Sequence, residues 1–241
     1  MTKTYEILNS QVIFAFKQNK NIRKRQFDFE EELKPFFNVP FSNIAIPDDQ
    51  DGNIPRFEGV SKHGFSRVQA TQFSINLITN YKEEYKRDIL KVRDYLSKRI
   101  EKINNLSSSE NMQFVAFVLE LGFEFQSDDE INSFLKEMTG AYVVDKSTKD
   151  FSILYSREYK EKYYLNIKCS KYKEGAFRFE NGILTSEGNT TQGVSVILDI
   201  NSKLSHIKAL DFNPKVTQEI EHETFNILAN HKLEDYLNGN I

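Results

Sequence analysis

The sequence predicts an α+β protein, mostly antiparallel sheet packed by two long amphipathic helices. Three observations carry that reading. Several segments alternate apolar and polar residues with period two, as half-buried strands do. Two stretches, near 81–105 and 215–237, look helical and amphipathic, the first repeating its apolar residues at steps of three and four. Each of these follows a set of strands, so the chain reads as two similar halves, 1–126 and 127–241, or as one continuous domain.

The elements follow in order. "SQVIFAFKQ" (Ser10–Gln18) is β-branched and aromatic, which predicts a strand, and the polar "NKNIRKR" predicts a loop. In "DFEEELKPFFN", Asp28 caps a short helix with Phe29, Leu33 and Phe36 on one face, and Pro35 and Pro40 stop it. Phe57 to Thr79 predicts two strands turning near "SKHG". In "RVQATQFSINLIT" the set Gln69, Thr71, Phe73, Ile75, Leu77 and Thr79 shares one face, apolar in its latter half.

A helix over Tyr81–Asn105 carries Tyr85, Ile89, Val92, Leu96, Ile100 and Ile103 as a narrow stripe on a charged rod. "MQFVAFVLELGFEF" predicts a long strand with Val115, Phe117, Leu119, Leu121, Phe123 and Phe125 on one unbroken apolar face. "SDDEINSFLKEMTG" predicts a capped helix ending at Gly140. Four strands are expected next, in "DFSILYS", "KYYLNIKCS", "GAFRFENGIL" and "GVSVILDINS", with "SEGNTTQG" as a polar loop. A helix over 215–237 follows, with Asn213 as cap and Pro214 in its first turn.

Composition narrows the function classes. The chain has 241 residues, enough to remove roughly 70–75 % of its unfolded surface from water. Its 20 Phe and 11 Tyr supply the bulk of a core. A net charge of −3 argues against indiscriminate nucleic-acid binding, which leaves a basic excess. Cys169 is the single cysteine, so no internal disulfide forms, and a reducing cytoplasm is the expected location. No secretory signal and no stretch of about 18 apolar residues is present, so no membrane is expected as a partner. The abundance of Lys, Asn and Ile fits an AT-rich genome.

"PDDQDGNIPRFE" resembles a calcium loop, with Asp49, Asp51 and Glu58 in a twelve-residue frame. The frame fails: Pro47 and Pro55 stand at ligand positions, no helix pair flanks it, and a turn-rich connection explains it without metal. Lys17, Lys20, Arg23, Lys24 and Arg25 form an acid-free basic run, able to contact phosphates or an acidic partner, or to sit solvated. A metal nuclease reading of Asp150 and Lys168 fails because Asn166 stands where a carboxylate ligand belongs. His63, His206, His222 and His231 are scattered, Cys169 reads as a buried thiol, and Asp199 ends an apolar strand where acids most often pair locally. There is no P-loop, dinucleotide turn or nucleophile elbow. The residues predict no catalytic set, no metal and no cofactor.

The strand "GVSVILDIN", with Leu198, Asp199, Ile200 and Asn201, and the helix "VTQEIEHETFNILANHKLEDYL", with His222 and Phe225, carry a resemblance. They resemble the ending of a sporadically distributed family of uncharacterised bacterial proteins, whose strand reads Leu-Asp-Ile-Asp; Asn201 replaces the second acid here. That family has no established activity. Its patchy distribution implies defence or toxin–antitoxin gene neighbourhoods and a protein partner encoded nearby. The expectation is therefore a non-catalytic cytoplasmic component that binds a protein, as the accessory or neutralising half of a two-gene system. Alternatives are a nucleic-acid-binding or nucleic-acid-processing protein using the basic loop, or a small-ligand binder between sheet and helix.

Overall fold

A computed structural model of the chain describes residues 4–108, 110–140, 144–145, 147–180, 183–210, 212–213, 215–230 and 232–237; for 174–180, 183–190, 232, 234 and 237 the description is of the backbone. The elements are β1 (Glu6–Phe16), a 3₁₀ turn (Ile22–Arg25), α1 (Gln26–Leu33), β2 (Ser42–Asn43), β3 (Phe57–Val60), β4 (Ser66–Ala70), β5 (Ser74–Asn80), α2 (Glu83–Lys86) and α3 (Ile89–Ser107). They continue as β6 (Met112–Phe125), α4 (Asp128–Thr139), β7 (Ser152–Tyr159), β8 (Tyr163–Glu180), β9 (Ile183–Asn201), α5 (Lys203–Ile207), α6 (Val216–Ala229) and α7 (Lys232–Leu237).

The strands form one nine-stranded sheet in the order β2-β3-β4-β5-β1-β6-β9-β8-β7, antiparallel throughout. β6 is its spine, and its predicted face is buried throughout: Val115, Phe117, Leu119, Leu121, Phe123 and Phe125. The pairing puts Ile200, Leu198, Val196 and Val194 of β9 beside that row, and Phe14 and Val12 of β1 on its other side. Helices cover this face. Phe225 of α6 meets Phe117 at 5.8 Å, Phe134 of α4 meets Phe123 at 4.9 Å, and Phe29 of α1 meets Phe57 at 5.3 Å between ring centroids. Each such ring is worth on the order of 1.5–3 kcal/mol over its exposed state. The opposite face is polar at its centre, with Gln11, Glu120, Asp199 and Asn166 half-buried, an arrangement open to antiparallel sheets.

Several elements differ from expectation. The 81–105 helix is two, because Asp88 is extended (φ −120°) and its carboxylate accepts from Lys91 N at 3.0 Å, restarting the helix. Its stripe stands, with Val92, Leu96, Ile100 and Ile103 buried. The 215–237 helix is also two, α6 and α7. Asn230, at the end of α6, turns its side-chain amide back to Asn226 O (2.9 Å). Asn213 accepts from Lys215 N (2.9 Å) just ahead of α6 rather than capping it from the N-cap position; Pro214 lies outside the described residues.

Residues 67–79 are a hairpin, not one strand. The Thr71 hydroxyl accepts from Phe73 N (3.0 Å) and Ser74 N (2.8 Å), making the turn without Gly or Pro. The reversal puts Val68 opposite Leu77, so residues expected on opposite faces are buried together. The last four predicted strands are three. "SEGNTTQG" is backbone within β9, and residues 181–182, inside the expected "GAFRFENGIL" strand, lie outside the described residues. Finally, α1 begins before Asp28, which sits in its first turn, and the expected loop contributes the 3₁₀ turn with Ile22 fully buried. The helix "SDDEINSFLKEMTG" stands as read: Ser127 caps it, and Gly140 ends it at φ 62°.

Candidate binding cleft

The basic run divides in two. Arg23 donates to Ile44 O (2.9 Å), Ile46 O (2.8 Å) and Arg56 O (3.2 Å), and Arg25 bonds Glu110 and Leu106 O (2.9 Å). Both arginines tie the 3₁₀ turn to its neighbours. Lys17, Lys20 and Lys24 are exposed and have no ion pair among the described residues.

The Pro47–Glu58 segment closes around a guanidinium. Arg56 is fully buried, donating to Ile54 O (2.7 Å), Gln50 O (3.2 Å) and Asp51 O (3.3 Å), with Asp48 at 3.3 Å. The carbonyls that a metal ion would draw on already hold a cation. Asp51 accepts from Asn53 in its own turn and Glu58 from Gln69 on the sheet, so the three acids of the frame do not share a partner; Asp49 is exposed.

The chemistry candidates are likewise engaged locally. Asp199 accepts from Asn166 (2.9 Å) and Asn201 (3.1 Å). Asp150 accepts from Phe151 N, while Lys168 lies four residues further on in register, opposite Leu154. Cys169 is fully buried, and burial pushes its thiol up to about 12. His63 stacks on Phe65, His206 and His222 are exposed, and His231 lies outside the described residues. Among the described residues no group of three or more His, Cys, Asp or Glu is placed to hold a metal ion.

The concavity that stands out lies at one end of the central strands. A cleft of about 460 Å³ is bounded by Met112 and Gln113 of β6, Tyr163 of β8, Ser202, His206, Leu210 and Phe212, and Glu219 of α6. A second hollow of about 240 Å³ adjoins it, sharing Asn111, Met112 and Phe212. The sequence builds this place by ending β9 at Asn201. Ser202 then exchanges bonds with Val115 (both 2.9 Å), and Ser205 bonds Lys162 O (2.8 Å), drawing the chain across the strand ends. Ala209, at φ 52°, turns it outward.

The carboxylates of the cleft (Glu219) and of the adjoining hollow (Glu110) are both occupied. Glu110 holds Arg25 and Asn19; Glu219 accepts from the Tyr163 hydroxyl and from Asn213 (3.0 Å). Burial and the Glu219 carboxylate push the Tyr163 phenol above its ordinary range, so it stays a donor. The rim is apolar and cationic. Leu210 is 50 % and Phe212 38 % exposed, and Ile207, next to the lining His206, is 68 % exposed. Lys162 lines the cleft and Lys215 adjoins its Val216; both are exposed and have no carboxylate partner among the described residues, while Lys203 reaches over the Phe114 ring at 4.8 Å. Lys17 N bonds Asn111 O (3.0 Å), which places the basic loop beside the smaller hollow.

Comparison of the chain with family models, curated proteins and solved structures returned no match. The site therefore rests on its own geometry. Such a rim suits a ligand with apolar side chains and negative charge, bound by burial of Leu210 and Phe212 and oriented by lysines. Sequence reasoning passed over the segment between "LDIN" and "VTQEI" as merely polar. Its signal was three large apolar residues within six positions, fitting neither helical nor strand period and flanked by Lys203, Lys208 and Lys215.

Proposed function

We propose that the chain is a non-catalytic component that binds a protein partner, and that the partner docks at the cleft around Leu210 and Phe212. The observation that carries this reading is the exposed apolar rim bordered by lysines without acidic partners. The local bonds of Asp150 and Asp199 and the buried thiol of Cys169 support it, since each of these groups has a structural use. A protein that presents an acidic, apolar segment matches the rim. The strand order suggests a division of the chain ahead of β6 rather than at residue 126: β1 pairs with β6 at the centre, β1 is flanked by β5, and β6 by β9, the last strand before α5.

Tagged purification from the native host, with bound protein and nucleic acid both identified, tests the proposal. A stoichiometric acidic protein supports it. Nucleic acid that leaves at high salt replaces it with phosphate contact through Lys17, Lys20 and Lys24, for which steep salt dependence is the signature. Purification of the chain alone contradicts it.

A further inference from the structure

The four central strands come to one end of the sheet together. β1 reaches it at Phe16, opposite Met112 of β6, and Asn201 of β9 lies between Ala116 of β6 and Tyr164 of β8. The cleft occupies the β6–β9–β8 side of this end, and the smaller hollow shares Asn111, Met112 and Phe212 with it. On its other side the hollow meets the basic loop that follows β1. Asn111 O accepts from Lys17 N (3.0 Å), and Glu110, in the wall of the hollow, holds Asn19 and Arg25. Arg23 and Arg25 are engaged in holding the loop in place. Lys17, Lys20 and Lys24 are exposed, with no ion pair among the described residues.

Given the docking at the cleft, on which this rests, we propose that the partner presents an extended segment with acids at both ends, running from the cleft across the smaller hollow to the basic loop. Three strand spacings separate β8 from β1, roughly 14 Å at about 4.8 Å each. An extended chain rises about 3.4 Å per residue, so about five to six residues reach from Lys162 to Lys17. An acid at one end of that stretch meets Lys162, and an acid at the other meets Lys17, Lys20 or Lys24. Apolar residues between them cover Leu210 and Phe212. Glu110 in the hollow is neutralised by Arg25 and does not oppose such a segment. A phosphate backbone carries a charge at every step, whereas here the cations stand on two banks with an apolar middle, which favours protein.

Carbodiimide coupling of the complex purified from the native host tests this, because it joins a lysine amine to a carboxylate in contact with it. Mass spectrometry of the joined peptides is expected to show links from Lys162 and from at least one of Lys17, Lys20 and Lys24. Their partner acids should lie within about eight residues of one another. Lys17→Glu with Lys20→Glu and Lys24→Glu is expected to lower recovery of the partner at least about tenfold, with the circular dichroism of the chain unchanged. Lys149→Glu with Lys168→Glu and Lys173→Glu makes the same change of net charge at exposed sites away from this end of the sheet, and should recover the partner as wild type does. Equal losses in the two triple variants would mean steering by net charge and would overturn the inference. A partner lost with Leu210→Asp and Phe212→Asp, yet recovered fully by the loop variant and unlinked to the loop, overturns it and leaves the docking standing. Recovery of no protein, or of nucleic acid that leaves at high salt, overturns both.

Discussion

Arg23 and Arg56 share one carboxylate: Asp48 Oδ1 lies 3.3 Å from the guanidinium of each, and Arg23 also donates to the carbonyl of Arg56. The pair fastens the 47–56 segment to the 3₁₀ turn. Arg56→Ala leaves the carbonyls of Gln50, Asp51 and Ile54 without their donor and is expected to cost about 3–5 kcal/mol. Arg23→Ala, partly exposed, is expected to cost about 1–2 kcal/mol. Lys17→Ala, Lys20→Ala and Lys24→Ala are expected to fall within about 0.5 kcal/mol of the parent. Urea denaturation of each variant checks the ordering. It also fixes which residues probe phosphate contact: loss of binding in an Arg23 variant reports the fold, whereas loss in a Lys20 variant reports the surface.

Gly193 sits where three strands close up. A Cβ there would stand 2.1 Å from Phe123 O and 2.9 Å from the Tyr172 ring. Backbone cannot yield as a flexible side chain does, so Gly193→Ala is expected to cost more than about 3 kcal/mol or to abolish soluble expression. Thermal melts of the variant beside the parent measure it, and a loss under about 1 kcal/mol would contradict the packing.

Glu221 is buried on α6, hydrogen-bonded by Ser97. Burial holds its carboxyl above the usual carboxylate range, with the Ser97 hydroxyl, Arg93 and His222 pulling the other way. A raised folded pKa means that the folded state holds the proton more tightly. The contribution to stability is thus full below the unfolded carboxylate range and is lost as pH rises through the folded value. Glu221→Gln keeps an acceptor for Ser97 without the charge. It is expected to be more stable than the parent at pH 7 by on the order of 1 kcal/mol, with the gap closing near pH 4.

Cys169 is expected to be inert. With its thiol fully buried and pushed up to about 12, native protein at pH 8 should resist a thiol reagent for hours and react with one equivalent in denaturant. Rapid native labelling would place the side chain at the surface.

How much of this was legible depended on whether local chemistry and tertiary contact agreed. In β6 and α4 they agree: one apolar face and one pair of caps decide each element. At Thr71 the turn comes from a hydroxyl, where sequence reading looks for Gly or Pro. At Gly193 the opposite error arises, because glycine reads as a loop but serves close approach within a strand. The basic run was visible as composition, yet the division of arginines from lysines depends on Asp48 and Glu110, 25 and 85 residues away in sequence. The apolar rim was hidden for a different reason: Leu210 and Phe212 sit in a short irregular stretch with no sustained period, and only the fold sets them beside a cleft.

The central claim is that a protein partner docks at that rim, and parallel purification of wild type and a Leu210→Asp, Phe212→Asp variant tests it most directly. Both side chains are substantially exposed, so the variant should keep the parent's circular dichroism and melting temperature within about 2 °C. The account predicts a stoichiometric partner with wild type and its loss, by at least about tenfold, with the folded variant. Equal recovery of the partner by both proteins would contradict it.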